Sequence, residues 1–151
     1  MTTVTVSTLI AAPLEQVFKN FTDVEHAPQK VFGIKGIEMM TPGPFGPGTK
    51  WREIRDVMGH VERGEMEVTA FDRNRMYVIT HLASGARIDT TFSFEPSAAG
   101  TKVSIEFNLD SQGMPPGLLA PLGWAMSGKI REMLGRDLKD LKSSSERLAA
   151  N

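Results

Sequence analysis

Ile88-Asp89-Thr90-Thr91-Phe92-Ser93-Phe94-Glu95, followed after a turn by Lys102-Val103-Ser104-Ile105-Glu106-Phe107-Asn108-Leu109, alternates apolar and polar residues through both of its halves. An extended chain points successive side chains to opposite faces, so Ile88, Thr90, Phe92 and Phe94 share one face while Asp89, Thr91, Ser93 and Glu95 share the other. Val103, Ile105, Phe107 and Leu109 repeat the pattern against Lys102, Ser104, Glu106 and Asn108. Pro96 to Gly100 between them carries turn chemistry, which makes the pair an antiparallel hairpin with one wet face and one covered face.

Upstream, strand-like segments run from Ile34 to Met40, Thr49 to Val57, His60 to Phe71, Met76 to Ala83 and Ala86 to Phe94. Met58-Gly59, Asp72-Arg73-Asn74 and Ser84-Gly85 punctuate them, so the sheet is expected to be antiparallel throughout. Val4 to Ile10 alternates as a first strand, and Pro13 then opens a short helix carrying Val17, Phe18 and Phe21 at helical spacing. Asp23 is placed to cap a second short helix running to about Lys30. The loop Thr41-Pro42-Gly43-Pro44-Phe45-Gly46-Pro47-Gly48 is too rich in proline and glycine for regular structure.

The covered face needs a cover. From Gly117 onward Leu119, Leu122, Met126, Ile130, Met133, Leu134, Leu138 and Leu141 recur at three- and four-residue steps, with Lys129, Arg131, Glu132, Arg136, Asp137 and Lys139 elsewhere around the wheel. That pattern predicts a long amphipathic helix. Gly123, Gly128 and Gly135 lie inside it; either they allow close backbone packing, or the helix kinks or starts later.

Composition narrows the function classes. The 151 residues fit one domain, 1–151, and include 40% apolar and 23% charged residues with a net charge of -1, which argues against a general nucleic-acid binder. With no cysteine, a thiolate nucleophile, a Cys-based zinc site and a disulfide frame are excluded. The start Met1-Thr2-Thr3-Val4-Thr5-Val6-Ser7 lacks signal-peptide character, and no apolar run approaches the roughly 18 residues of a membrane span. A cytoplasmic monomer or homodimer without stable membrane insertion is therefore expected.

Several pieces in order carry a family likeness: Ile10-Ala11-Ala12-Pro13-Leu14-Glu15-Gln16-Val17-Phe18, the turn Phe21-Thr22-Asp23-Val24-Glu25, the centre Gly48-Thr49-Lys50-Trp51-Arg52-Glu53-Ile54-Arg55 with Glu65-Met66-Glu67-Val68-Thr69, the pair Phe94-Glu95-Pro96 and Gly100-Thr101-Lys102-Val103, and the ending Asp137-Leu138-Lys139-Asp140-Leu141-Lys142. In their order and spacing the chain resembles the START-like or Bet v 1-like (SRPBCC) superfamily, and within it the polyketide cyclase/dehydrase-type branch. The resemblance implies an α+β helix-grip fold: a seven-stranded curved antiparallel sheet around a long C-terminal helix, with two short helices after the first strand. It also implies a cavity for a small hydrophobic molecule such as a lipid, sterol, quinone or aromatic polyketide, with no cofactor. Many relatives carry tryptophan where this chain has Phe18, and the catalytic residues of the aromatic cyclases are not recognisable here.

Trp51, Glu53 and Arg55 share a strand face, being two residues apart. If Trp51 points inward, a carboxylate and a guanidinium follow it, able to orient a polar ligand group or to act as acid and base. A structural ion pair, or an outward face with Ile54 turned inward, are the alternatives. The expected cavity lining is Trp51, Glu53 and Arg55, then Met66, Val68, Val78 and Thr80, then Ile88, Thr90 and Phe92, with Leu119, Leu122, Met126 and Ile130 from the helix. Phe45 is a candidate lid at the mouth.

His26, His60 and His81 are scattered and show no metal-site spacing, so no metal is expected. His81, sharing parity with Tyr77 and Ile79, has the better claim to proton transfer. The loop before Lys50 is no phosphate cradle, because Thr49 precedes Lys50 and Pro44 and Pro47 remove amide donors. Methionines at Met66, Met126 and Met133 suit either a pocket wall or an irregular core. The leading expectation is a binder of a small hydrophobic molecule. A cyclase, dehydrase or hydrolase using Glu53 with Arg55 or His81 stands beside it, and so does a chaperone-cofactor-like interaction domain.

Overall fold

The computed structural model describes residues 2–57, 59–83, 85–110 and 116–151, the side chains of 116–126 excepted. The strands are β1 (Thr2–Ile10), β2 (Ile34–Met39), β3 (Lys50–Val57), β4 (His60–Asp72), β5 (Met76–Ala83), β6 (Ala86–Ser97) and β7 (Gly100–Asp110). They form one seven-stranded antiparallel sheet in the order β1-β7-β6-β5-β4-β3-β2. Helix α1 (Leu14–Thr22) and a 3-10 turn (Val24–Gln29) carry the chain from one edge of the sheet to the other, and α2 (Pro116–Ala150) closes the fold. This is the helix-grip arrangement that the family resemblance implies.

The sheet curves because two strands carry an extra residue. The β4–β5 ladder shifts register between Val68 and Ala70, so Val68 and Phe71, three residues apart, both join the core. In β2 the register shifts between Ile34 and Gly36, so that Ile34 is buried and Ile37 packs against the core. A bulge bends its strand and adds twist, and a flat sheet could not wrap a helix.

Helix α2 is held at both margins of the sheet. On the β1 side, Arg131 donates to the Thr5 carbonyl at 2.8 Å and Lys142 to the Leu9 carbonyl at 2.8 Å, while the Ala11 amide donates to Glu146 at 2.8 Å. On the far side the Phe32 amide donates to Asp140 at 2.9 Å. Asp140, Lys142 and Glu146 thus do more than solvate a helix end: they satisfy backbone groups along the margins of the sheet, which also blunts the open β1 edge. Between the two edges Ile130, Leu134 and Leu138 are buried against the core. Asn20 of α1 donates to Ser144 at 2.8 Å and Ser145 at 2.9 Å.

Two expectations are corrected. The Asp23 side chain caps no helix amide; its carboxylate instead meets His26 Nδ1 at 2.8 Å and Lys30 Nζ at 3.0 Å, since two cationic or donor side chains compete successfully for it. Burial works to raise its pKa, but these hydrogen bonds outweigh that and hold it below 3.8. The second correction concerns the helix glycines. The helix runs unbroken from Pro116 to Ala150, and a Cβ added at Gly128 or Gly135 would meet nothing within 4 Å, so close packing does not explain them; Gly123 lies outside the described side chains. Gly128→Ala and Gly135→Ala should each stabilise the fold by about 1 kcal/mol through reduced backbone freedom in the unfolded chain and better helix propensity. Urea denaturation measures this, and destabilisation by either change would show that the glycine meets a neighbour.

Candidate functional site

Trp51 points inward and is 1% exposed, and Glu53 follows it at 8%. The open question of parity on β3 is thereby settled in favour of Trp51, Glu53 and Arg55 over Ile54, which is half-buried on the other face. The burial of a carboxylate on an apolar surface requires partners, and Glu53 has one for each oxygen. Trp51 Nε1 donates to Oε1 at 3.2 Å and Arg55 Nε donates to Oε2 at 3.0 Å. Arg55 reaches further: its Nη1 donates to Asp137 Oδ2 of α2 at 2.7 Å. The chain indole, carboxylate, guanidinium, carboxylate therefore ties the sheet to the helix.

One guanidinium serving two carboxylates leaves the cluster with excess negative charge. Burial pushes the Asp137 carboxyl up; Arg55 pulls it down, Glu53 and Asp140 push it up again, and the net result is a pKa above 3.8. Arg55 shows the complement: burial disfavours its charge, yet Asp137 and Glu53 outweigh burial and hold the proton more firmly. Since native Asp137 keeps its proton at a pH where the unfolded chain has released it, its contribution to stability is full below 3.8 and is lost as pH rises through the elevated native value. Asp137→Asn should remove that fall. Denaturant midpoints compared across the carboxylate range test this; an unchanged slope in the variant would assign it to another group.

Asp137 is the site residue that sequence reading placed on the wrong side of the wheel. It lies seven residues after Ile130, four after Met133 and four before Leu141, which is within the apolar stripe. A charge inside such a stripe was the available signal.

Other expected residues divide by parity. Met66 faces Trp51 across the ladder, and Val68 is buried in the core. Ile88, Thr90 and Phe92 of β6 pair with His81, Ile79 and Tyr77 of β5, so those three occupy the inner face of β5. Val78 and Thr80, expected to line the cavity, therefore point the other way: Thr80 bonds Thr69 at 2.8 Å and Asp89 at 2.6 Å, and is buried by those outer-face neighbours. Ile130 is packed into the core. Leu119, Leu122 and Met126 lie outside the described side chains.

His81 Nδ1 lies 3.0 Å from the Glu65 carbonyl. A carbonyl only accepts, so this bond puts the proton on Nδ1 and leaves Nε2 as an acceptor in the neutral ring. The ring covers Gly64, where a Cβ would overlap His81 Cε1; Gly64 is in turn the strand partner of Glu53. His81 and Glu53 thus share a face across a residue with no side chain. His26 and His60 are exposed.

Rings fill much of the concave face. Tyr77 stacks on Phe92 with centroids 4.6 Å apart, Phe18 meets Phe94 edge-on at 5.0 Å, and Phe45 from the 41–48 loop reaches Tyr77 at 5.0 Å. Two flanking cavities follow from this packing. One of about 560 Å3 is walled by Phe32, Arg55, Met133, Arg136, Asp137 and Asp140 among others. The other, about 380 Å3, lies between the 41–48 loop and the end of α1, with Val24, Met39 and Phe45 in its wall. Neither of these two is lined by Ile88, Thr90 or Phe92. Among the described residues no helix is long and apolar enough to cross a membrane.

A bulged antiparallel sheet gripping a C-terminal helix, with charged side chains held at the junction of the two, defines a START-like helix-grip protein. The family model described as polyketide cyclase / dehydrase and lipid transport matches residues 1–146, and the chain belongs to that family. No curated protein matches the sequence in direct comparison.

Among solved structures, TTHA0849 from Thermus thermophilus is 24% identical, with 99% of each chain covered and a TM-score of 0.78. A START superfamily protein from Mycobacterium smegmatis is 18% identical over 98% of this chain and 99% of that one, TM-score 0.78. The Zhui aromatase/cyclase from Streptomyces sp. R1128 is 15% identical over 96% and 93%, TM-score 0.80. At these identities the likeness shows a shared fold.

Proposed function

We propose that this chain binds a small hydrophobic molecule, of the lipid, sterol, quinone or aromatic polyketide class, between the concave face of the sheet and α2, with the Arg55–Asp137 junction facing its polar end. One observation carries the reading: a cleft of about 560 Å3 reaches Arg55 and Asp137, so that Phe32 and Met133 adjoin a fixed polar cluster. Its volume lies within the range of about 300–1,000 Å3 usual for ligand sites, and its largely charged wall suits the polar end of a ligand whose apolar part reaches in toward the sheet. Glu53 is 8% exposed, accepts from Trp51 and Arg55 and is absent from the wall of this cleft, which suits it to holding Arg55 in place more than to meeting a substrate. The test is native mass spectrometry and thermal shift with fatty acids, sterols, quinones and aromatic polyketides. Binding within one class supports the reading, and silence across the whole panel removes it.

An enzyme of the cyclase, dehydrase or hydrolase type is the second reading, favoured by one feature: Asp137 sits in the cavity wall with a raised pKa, the direction of shift that suits a carboxyl to proton delivery. His81, whose Nε2 accepts in the neutral ring when Nδ1 donates to the Glu65 carbonyl, is the candidate base under this reading, although it is in neither cavity wall. Under this reading Asp137→Asn and His81→Gln each abolish turnover of a bound polyketide while the fold persists; retained turnover in both excludes these residues from chemistry.

A further inference from the structure

We infer that Phe45 is an internal plug: its ring occupies a subsite that belongs to the ligand, framed by Trp51, Phe71 and Tyr77, and the 41–48 loop that carries it is the entrance. The inference rests on the binding reading above and specifies where the ligand goes and what excludes it.

The subsite is defined by three ring contacts made from three strands. Phe45 lies 6.1 Å from Trp51 of β3, 6.0 Å from Phe71 of β4 and 5.0 Å from Tyr77 of β5, edge-on to the last. Those three rings belong to the sheet, and Phe45 alone comes from irregular chain. A loop residue that fills an aromatic slot in a sheet does what a ligand ring would do there, through the same edge and face geometry.

The loop is anchored at its base and free at its tip. Met40 N bonds the Lys50 carbonyl, Gly48 N the Val68 carbonyl and Thr49 N the Gly46 carbonyl, while Thr41 and Thr49 hydroxyls take the Lys50 and Gly46 amides. None of these bonds reaches Pro42, Gly43, Pro44 or Phe45. Gly43 and Gly48 have φ of 90° and 84°, and a Cβ at Gly43, Gly46 or Gly48 would meet nothing within 4 Å. The tip therefore holds its place through the Phe45 ring. The 380 Å3 cavity on its other side, with Val24 and Met39 in the wall, can receive that ring when it leaves.

Tyr77 supplies an independent observation. It is 2% exposed, and burial pushes its hydroxyl well above 10.0, so it keeps its proton at neutral pH. It is the ring closest to the plug, and a protonated phenol can donate to an oxygen acceptor. A ring-bearing ligand with one carbonyl or hydroxyl group would displace Phe45 and accept from Tyr77.

The test is isothermal titration with 2-naphthol and naphthalene. A plug reduces apparent affinity by the fraction of time the subsite is open. If about one molecule in ten is open, Phe45→Ala should bind 2-naphthol about tenfold more tightly than wild type. Phe45→Leu, which keeps an apolar side chain on the loop should the alanine variant fail to fold, should show a smaller gain in the same direction. Tyr77→Phe should lose the preference for 2-naphthol over naphthalene, and Leu82→Ala, an exposed outer-face change, should alter neither. Folded Phe45 variants that bind no more tightly than wild type would overturn the plug. If palmitate still binds wild type in that case, the binding reading survives without it; if no probe binds wild type or any variant, both fall.

Discussion

Replacing Arg55 with methionine should destabilise the protein by about 3 kcal/mol at neutral pH, the lower end of the cost of breaking a buried ion pair by removing one partner. Arg55 keeps 17% of its side chain exposed, Glu53 10% and Asp137 15%, so solvent screens only a little of this. The loss has two origins. Glu53 and Asp137 are left facing each other without a cation between them, and the sheet loses one of its attachments to α2. The sign of the pH dependence follows from Asp137: its carboxyl is already held above 3.8, and without Arg55 the native state holds that proton more tightly still, so the defect is largest at neutral pH and shrinks on acidification toward about pH 4. Denaturant melts at both pH values measure it. The triple change Arg55→Met, Glu53→Gln, Asp137→Asn should recover most of the loss, since a buried ionic cluster replaced as a whole is often close to neutral. A triple variant as unstable as Arg55→Met would show that the guanidinium acts through packing instead.

Trp51→Ala should be more damaging still. The side chain is fully buried and belongs to the core cluster, and truncating such an aromatic costs about 3–5 kcal/mol for lost transfer energy and the cavity left behind. It also strips the Glu53 Oε1 atom of its indole donor, adding about 1–3 kcal/mol for an unpaired buried acceptor. Trp51→Phe separates the two effects, keeping most of the packing and losing only the donor. In a cycle with Glu53→Gln, the coupling should fall in the range of about 0.5–3 kcal/mol expected for residues in one hydrogen-bonded network. The urea midpoint should drop with an unchanged slope; additive single changes would mean that the 3.2 Å contact contributes nothing.

These two residues also mark how the site relates to the fold. Trp51 connects core to carboxylate and Arg55 connects carboxylate to helix, so the residues proposed to face a ligand's polar end are the ones that clamp α2. A variant that loosens the clamp should therefore change ligand affinity and stability together.

The amino-acid sequence by itself determined the strands, the two helical segments after β1, the long amphipathic helix and their order, because periods of two and of three to four are local properties of a chain that buries one face. It also placed Trp51, Glu53 and Arg55 on one face of a strand. Only the tertiary structure decided which face that was, since alternation is symmetric until something covers one side. It likewise decided that Tyr77 and not Val78 or Thr80 looks inward: a bulge at Thr69 and cross-strand pairing with Phe92 set that parity, and neither leaves a signature in the run of residues. The Arg55–Asp137 pair spans 82 positions, and the ring cluster draws Phe18, Phe45, Trp51 and Tyr77 from separate elements. Contacts of that separation exist only once the sheet has curled around the helix, which is why the strands could be read from the chain while the site they build could not.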